Sequence, residues 1–285
     1  MQMLIDKQQK SKDKIIKPDF STKTGREFLA FYLQTKFKQI LQYDKKNERP
    51  IFQEINPNFI SKFSRRLIEN PHKKFLIGVT GESASGKTTI CKQIKATSNE
   101  LNFPLEFLSI DNYFNDISDL IKKYGTFDAL RDNGYDVDSP ESFQLDLLKE
   151  DLTALSNGID ILAPEYLING TGVSVPKSIP ISAKKFILVE GMAAMYKDVK
   201  DLLDVKIYVD TDPKIQKQWF MDRAAKRNQD EANALKHWEY VGAAADKYIR
   251  PSKQDADIII NGASSLQYFS QIIEFIHTAT NCFVS

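Results

Sequence analysis

The chain has 285 residues, enough for one large α/β domain or two small ones, and its 42% apolar and 27% charged residues are typical of a soluble globular protein. The 39 basic and 38 acidic residues nearly cancel, so the overall charge does not favour nucleic acid or an anionic membrane as a partner. The two cysteines lack metal-ligand spacing, and no apolar run approaches the ~18 residues of a membrane span. Because the polar, lysine-rich start lacks the apolar core of a secretory signal, we expect a cytoplasmic protein.

Two amphipathic helices are predicted between residues 20 and 70, after roughly 17 residues that we expect to be frayed. The first, TGREFLAFYLQTKFKQILQY, has apolar side chains at helical spacing and offers Thr24 and Glu27 as a capping box. The second begins near Pro57 and repeats the apolar spacing. We expect both helices to pack on the main domain, so that residues 1–70 form a helical N-terminal extension.

Short apolar runs alternate with helical segments from residue 74 onward. Five runs are typical of buried parallel strands: KFLIGVT, LEFLSID, KFILVEG, VKIYVD and ADIIING. The clearest helix is SPESFQLDLLKEDLTALSNG, with Ser139 as its cap, Pro140 in its first turn and Asn157-Gly158 at its end. The alternation predicts an α/β domain over residues 71–285: a doubly wound, mostly parallel sheet flanked by helices, with ligands at the carboxyl ends of the strands.

The stretch GESASGKT, residues 81–88, fits the phosphate-loop pattern G-x-x-x-x-G-K-[ST] between an apolar strand and a helix. Small residues allow successive backbone N–H groups to surround a phosphate, and the following helix adds its dipole. Lys87 is expected to reach the β- and γ-phosphates, and the Thr88 hydroxyl is expected to bind Mg²⁺. The nucleotide is predicted to lie against Gly81, Glu82, Ser83, Ala84, Ser85, Gly86, Lys87, Thr88 and Thr89.

Acidic residues end two of the predicted strands. Asp111 ends LEFLSID and Glu190 ends KFILVE, so in a parallel sheet both side chains project toward the phosphate loop. Phosphoryl transfer needs one carboxylate that accepts or orients the proton of the acceptor hydroxyl and another that holds Mg²⁺ directly or through water. We assign Asp111 to the base and Glu190, with Thr88, to the metal, although the two acids could exchange roles.

Several segments in this order resemble the uridine kinase and phosphoribulokinase family of P-loop kinases, which also includes bacterial pantothenate kinase. They are GVTGESASGKTT, FLSIDNYF, VDSPESFQLDLL, FILVEG, IYVDTD and RPSKQDADIII, and the likeness covers roughly residues 74–262. The resemblance implies a P-loop NTPase fold and an ATP-dependent kinase that acts on a small hydroxylated metabolite. It also implies that Asp111 is the catalytic base.

The same resemblance suggests where the acceptor binds. NGYDVDSPESF is similar to the segment of uridine kinases in which an Asp binds the ribose hydroxyls; Asp138 matches that Asp, although it could instead only help to cap the next helix. Tyr166 matches a family Pro-x-Tyr, but the His and Arg that follow it in uridine kinases are replaced by residues 169–172, NGTG, which could equally bind a sugar or a smaller polyol. The expected acceptor residues are Asp111, Tyr113, Asp138 and Tyr166.

Residues 213–250 resemble the family's helical lid. Pro213 begins a helix in which Arg223 and Arg227 lie four residues apart, hence on one face, and guanidinium groups there would neutralise charge on the transferred phosphoryl group. We therefore expect Arg223 and Arg227 to act with Lys87 and Asp111. The segment QWFMDRAAKR resembles pantothenate kinases more closely than uridine kinases. Arg250 and Lys253 belong to a segment that, in the family, passes beside the adenine.

The leading interpretation is an ATP- and Mg²⁺-dependent kinase of a nucleoside such as uridine or cytidine. One alternative keeps this machinery with pantothenate, glycerate, a sugar or a sugar phosphate as acceptor. Another is a non-catalytic regulator whose conformation reports ATP. We expect a small-molecule acceptor as partner, with no nucleic acid and no membrane, and a homo-oligomer is an open alternative to a monomer.

Overall fold

The structure is a computed structural model, and it describes residue 19 and residues 22–46, 50–70 and 72–264. The expected frayed start lies outside the described residues. The helices are α1 (Lys23–Asp44), α2 (Phe59–Glu69), α3 (Lys87–Glu100), α4 (Ser118–Tyr124), α5 (Phe127–Asp132), α6 (Leu145–Ser156), α7 (Lys197–Lys200), α8 (Pro213–Lys226) and α9 (Glu231–Ala244). The strands are β1 (Phe52–Ile55), β2 (Phe75–Gly81), β3 (Leu105–Ser109), β4 (Ile161–Tyr166), β5 (Ser174–Ile181), β6 (Phe186–Glu190), β7 (Val205–Asp210) and β8 (Ile258–Asn261).

The main sheet has the strand order β1-β8-β7-β2-β6-β3. Neighbouring strands are parallel except β1, which runs antiparallel to β8. All seven residues of β2 are buried, as expected for the central strand of a sheet covered on both faces. The five predicted parallel strands are confirmed, and so is the mostly parallel α/β fold.

Helices cover both faces of this sheet. On one face, Phe37 of α1, Phe59 of α2 and Ile90 of α3 pack against the sheet in one apolar cluster. On the other face, Leu148 and Leu152 of α6 pack in a second cluster. The sheet is therefore doubly wound, and its carboxyl edge is the place where a ligand can reach the loops.

The N-terminal extension is not purely helical, because it adds β1 to the edge of the sheet. The sequence analysis did not predict this four-residue strand. The capping box at Thr24 and Glu27 is also wrong. The side chain of Thr22 accepts a hydrogen bond from the Gly25 N–H at 3.0 Å, and the helix already includes Lys23. Thr24 thus lies within the first turn, where it cannot be the cap.

The clearest predicted helix begins later than expected. Its predicted cap, Ser139, precedes a 3₁₀ turn over Pro140–Ser142, and α6 starts only at Leu145. Between them, Phe143 is extended and forms a β-bridge with Phe114, whose ring stacks on it at 4.2 Å. This tertiary pairing holds the chain out of helical geometry, while the predicted end at Asn157 is confirmed.

A separate antiparallel hairpin, β4–β5, contains the Pro-x-Tyr segment and was not predicted. It packs on α6 through Ala163 and Ile181, which belong to the same apolar cluster. Among the described residues, no helix combines the length and the apolar character needed to cross a lipid bilayer.

Candidate active site

The phosphate loop connects β2, at the centre of the sheet, to α3. Gly86 has a φ of 94°, a left-handed conformation that favours glycine at the point where the loop enters the helix. Elements on the β7 side hold the loop from outside: the Thr211 hydroxyl donates to the Ser85 carbonyl at 2.8 Å, and the Gln216 amide donates to the Ser83 carbonyl at 2.7 Å. The loop is therefore fixed before any phosphate binds.

The Lys87 ammonium lies over the phosphate loop. It donates to the carbonyls of Gly81 and Glu82, each at 2.8 Å, and one of its three N–H groups is then available for a phosphate oxygen. Burial lowers the pKa of Lys87, while the carboxylates of Glu190 and Asp111 oppose this shift. A partly buried cation with loop carbonyls as its direct partners fits an anionic phosphate, so the residues present fit ATP.

Thr88 and Glu190 lie together, as the metal prediction requires. The Thr88 hydroxyl donates to Glu190 Oε1 at 3.1 Å, and Glu190 is only 4% exposed. Burial raises the pKa of Glu190, and the Lys87 charge counteracts part of that rise. Hydroxyl and carboxylate oxygens are the hard ligands that Mg²⁺ prefers, usually one or two from the protein with phosphate and water completing the shell. Within the part of the chain that the structure describes, no group of three or more His, Cys, Asp or Glu is arranged to hold a metal.

Asp111 follows β3 directly, in a 3₁₀ turn over Ile110–Tyr113. The strand register explains its position, since Glu190 at the end of β6 pairs with Ser109 of β3 on one side and Val79 of β2 on the other. Burial raises the pKa of Asp111, and the charges of Lys87 and Arg223 pull it back. The two acids and Lys87 therefore lie at one edge of the sheet.

Helix α8 brings Arg223 to the phosphate loop. Its guanidinium donates to the Ser83 hydroxyl at 2.9 Å, and burial lowers its pKa, with Arg227 adding to the shift and Asp111 opposing it. Arg227 directly follows α8, close enough for its charge to act on Arg223. The ring of His237 in α9 lies 5.2 Å from that of Phe220 in α8; burial lowers the pKa of His237 to about 4, with help from the charge of Arg131.

A cavity of about 230 Å³ opens beside Asp138, between the α5–α6 connection and α9. Its polar and aromatic walls are Arg131, Tyr135, Asp136, Asp138, Tyr240 and Lys247. Burial raises the pKa of Asp138 to about 6; Arg131 opposes the shift, and the nearby carboxylates of Asp136 and Asp111 add to it. The Tyr196 hydroxyl donates to the Asp138 carbonyl at 2.6 Å and so fixes the backbone of this residue. The predicted acceptor acid is therefore close to the predicted base.

The two predicted acceptor tyrosines are placed differently. Tyr113 is completely buried, and its hydroxyl donates to Asp151 at 2.7 Å, so we remove it from the acceptor site. Tyr166 is half-buried, and its ring lies 5.2 Å from that of Phe114. In the NGTG loop, Asn169 accepts hydrogen bonds from both the N–H and the hydroxyl of Thr171, so these polar groups satisfy one another at the surface.

A larger cavity of about 760 Å³ lies on the other side of β2. Its walls include Glu82 of the phosphate loop, Tyr208 and Asp210 of β7, and Asn261 at the end of β8. Arg250 and Lys253 also line it; Arg250 binds both carboxylate oxygens of Glu82, at 2.8 and 2.9 Å, and Lys253 donates to Asp210 at 2.9 Å. The edge of the sheet thus has one cavity on the β7–β8 side and another near the acids of β6 and β3.

Sequence reasoning missed several residues of the site, among them Arg131, Thr211, Gln216 and His237. Arg131, Gln216 and His237 are common polar residues outside any motif, and only the packing of α5, α8 and α9 brings them to the site. Thr211 alone carried a signal, because it belongs to the segment IYVDTD that resembles the family.

Comparisons with known proteins show which family the chain resembles. The model of the phosphoribulokinase/uridine kinase family matches residues 76–267. Uridine-cytidine kinase B of Dictyostelium discoideum is 29% identical over 206 residues, covering 71% of this chain and 81% of that protein. Uridine kinase of Staphylococcus carnosus is 34% identical over 189 residues, covering 65% of this chain and 86% of that protein.

Among solved structures, a proposed fructose transport system kinase from a Silicibacter species has a TM-score of 0.50 at 16% identity, covering 65% of this chain and 85% of that one. At this identity the likeness concerns the fold alone. The family model spans the phosphate loop, both acidic strand ends, Asp138 and the lid helices, which are the features that meet at the edge of the sheet. The chain belongs to the phosphoribulokinase/uridine kinase family.

Proposed function

We propose that this chain is an ATP-dependent kinase that transfers the γ-phosphoryl group to a hydroxyl of a nucleoside of the uridine or cytidine type. The observation that carries the proposal is the cavity beside Asp138, whose carboxylate is near enough to Asp111 for the Asp111 charge to help raise its pKa. Paired ribose hydroxyls are good donors to a carboxylate. The names of the relatives, a uridine-cytidine kinase and a uridine kinase, support the same acceptor class.

The charges around this cavity favour an uncharged acceptor. Arg131 pairs with Asp128 at 3.3 Å, and Lys247 lies 3.8 Å from Asp136, so both cations already have anionic partners. A sugar phosphate, pantothenate or glycerate would need a cation to bind its phosphate or carboxylate. The rings of Tyr135 and Tyr240 provide flat apolar surface that suits a base.

ATP supplies the γ-phosphoryl group, and the acceptor oxygen replaces the bridging oxygen of ADP at the phosphorus. Asp111 accepts the proton that the acceptor hydroxyl loses, and its raised pKa suits a base that works near neutral pH. Lys87 and the loop N–H groups hold the phosphates, Arg223 and Arg227 offset charge on the transferred group, and Thr88 with Glu190 would hold Mg²⁺.

The decisive experiment compares Asp111→Asn with the unsubstituted protein in a coupled assay of ADP formation. We expect uridine or cytidine to stimulate ADP formation, and Asp111→Asn to reduce turnover by roughly 10²- to 10⁴-fold while ATP affinity stays unchanged. Asp119→Asn is the matched control, because that carboxylate is 93% exposed on α4. Lys87→Ala should instead weaken ATP binding itself.

The acceptor panel should contain pantothenate, glycerate and a sugar phosphate beside the nucleosides. If one of these three alone stimulates ADP formation, the family machinery is retained and the nucleoside proposal is wrong. If no acceptor stimulates it and Asp111→Asn has no effect, the regulator alternative gains support. A cytoplasmic location remains a prediction from the sequence, and a homo-oligomer remains an open alternative to a monomer.

A further inference from the structure

The cavity of about 760 Å³ has one wall that comes from the N-terminal extension. Gln53 of β1 lines it together with Glu82, Tyr208 and Lys253, which belong to the kinase core. The residues matched by the family model begin at 76, so Gln53 lies outside the part of the chain that resembles the family. Its role at the cavity must therefore be argued from this chain alone.

A β-bulge directs Gln53 toward the cavity. In the β1–β8 ladder, Phe52 pairs with Ile260 and Glu54 pairs with Ile259, so Gln53 is the extra residue that has no partner on β8. In a regular strand, successive side chains alternate between the two faces of the sheet. A bulge interrupts this alternation and changes the direction of a side chain, and bulges are common beside active sites. The Gln53 side chain is exposed, and its carboxamide makes no hydrogen bond to the described residues.

The backbone around the bulge is held firmly. The Asp44 carboxylate at the end of α1 accepts the N–H groups of Ile51 and Phe52, each at 2.9 Å. The Asn261 N–H donates to the Ile51 carbonyl at 2.7 Å, and the Ser264 hydroxyl donates to the Pro50 carbonyl at 3.2 Å. The bulge is thus fixed to the loop that follows β8.

That loop also contacts the phosphate loop. A Cβ added to Gly262 would come within 2.0 Å of the Ser85 carbonyl, so the two loops approach as closely as glycine allows. Asn261 and Ala263 on either side of Gly262 line the same cavity as Gln53. The backbone of Gln53 is therefore held in a fixed position relative to the phosphate loop.

We propose that Gln53 hydrogen-bonds the base of the donor nucleotide and sets a preference for adenine. This inference rests on the proposed function, because it takes the large cavity as the place of the donor base. A carboxamide offers a donor beside an acceptor and can pair with the amino group and ring nitrogen on one edge of adenine. The corresponding edge of guanine presents two acceptors, so the carboxamide oxygen finds no donor there. Other polar side chains of the cavity are already engaged: Arg250 and Lys253 pair with Glu82 and Asp210. The Gln216 amide donates to the Ser83 carbonyl, and Asn261 Oδ1 accepts the Ala263 N–H. The Gln53 carboxamide keeps both its donor and its acceptor available for a base.

The test measures ATP and GTP dissociation constants by calorimetry, without acceptor, for the full chain and its variants. We expect Gln53→Ala to weaken ATP binding by roughly three- to tenfold, the effect of one net hydrogen bond, and to weaken GTP binding less. Gln53→Glu keeps the shape but loses the N–H donor, so it should also reduce the preference for ATP. Gln42→Ala is the matched control, since Gln42 is exposed on α1 of the same extension and does not line the cavity.

Thermal denaturation of each variant shows whether it is folded, and the exposed position of Gln53 makes a large loss of stability unexpected. If the unsubstituted protein binds ATP and both Gln53 variants keep its affinity and its preference over GTP, this inference is wrong and the proposed function survives. If the unsubstituted protein binds neither nucleotide, both are wrong.

Discussion

The carboxylates of Glu190 and Asp111 and the guanidinium of Arg223 lie close enough to Lys87 for their charges to alter its pKa. Asp111 and Glu190 are buried acids whose pKa values are raised, and the Lys87 ammonium counteracts both shifts. Asp138 is the third acid, raised to about 6 by burial. Because the ordinary pKa of an aspartate is 3.8, the folded protein binds a proton at Asp138 over a range in which the unfolded chain does not. The contribution of Asp138 to folding stability is therefore greatest at low pH and is lost as the pH rises through about 6.

This shift predicts the pH dependence of acceptor use. If ionised Asp138 binds the acceptor hydroxyls, kcat/KM for the nucleoside should fall as the pH drops below about 6, approaching a tenfold loss per pH unit. The measurement is kcat/KM for the nucleoside between pH 5 and 8 at saturating ATP.

Asp138→Asn should lower kcat/KM for the nucleoside at pH 7.5. In this variant, kcat/KM should no longer fall at about pH 6, and the remaining decrease at low pH should reflect the protonation of Asp111. Asp146→Asn serves as the control, since that carboxylate is 95% exposed on α6. An unchanged profile in Asp138→Asn would show that this carboxylate does not bind the acceptor.

At the scale of single elements, one face of α1 packs against β1 and α2. Phe37 is 7% exposed, and its ring lies 5.8 Å from both Phe52 of β1 and Phe59 of α2. Phe31, less than two turns earlier, is 69% exposed. The packing of α1 therefore depends on a few inward side chains, and the same contacts support β1.

Phe37→Ala should lower the free energy of unfolding by about 3 kcal/mol, because it removes a buried aromatic ring and leaves a cavity. Urea denaturation followed by circular dichroism measures this change. Phe31→Ala tests the same substitution on an exposed side chain and should change the free energy of unfolding by less than about 0.5 kcal/mol. Equal losses in the two variants would contradict the packing described for α1.

At the scale of the whole molecule, Arg66 joins the extension to the kinase core. From α2, its guanidinium pairs with Asp204, before β7, and donates to the carbonyls of Asn70 and Lys74, each at 3.0 Å. Asp204 also accepts the N–H of Leu76 in β2 at 2.9 Å. Both charged side chains are largely buried, at 17% and 13% exposure. The extension is thus tied to two strands of the sheet by one ionic cluster.

Arg66→Ala should lower the free energy of unfolding by about 3 kcal/mol, since it leaves the Asp204 carboxylate without its cation and two carbonyls without a donor. Arg65→Ala removes an adjacent, exposed arginine and should have an effect below about 0.5 kcal/mol. Chemical denaturation of both variants provides the comparison. If Arg66→Ala is as stable as Arg65→Ala, the extension is not held to the core by this cluster.

The sequence by itself determined the donor half of the site. The phosphate loop, the parallel strands and the acids at or just after their ends are local patterns. A strand that ends at Glu190, or leads into the turn of Asp111, presents that residue at the carboxyl edge of a parallel sheet. The same local reasoning predicted the wrong start for α6. Phe143 pairs with Phe114 in a β-bridge, so the residues before α6 are extended instead of helical.

Only the tertiary structure decided the surroundings of these motifs. Tyr113 turns into the core because Asp151 of α6 accepts its hydroxyl, and Gln53 reaches a cavity because β1 bulges against β8. Such contacts join residues far apart in the chain, and no periodicity or spacing records them. Local chemistry thus identified the phosphate loop and the acids beside it, whereas long-range packing decided which side chains line the two cavities.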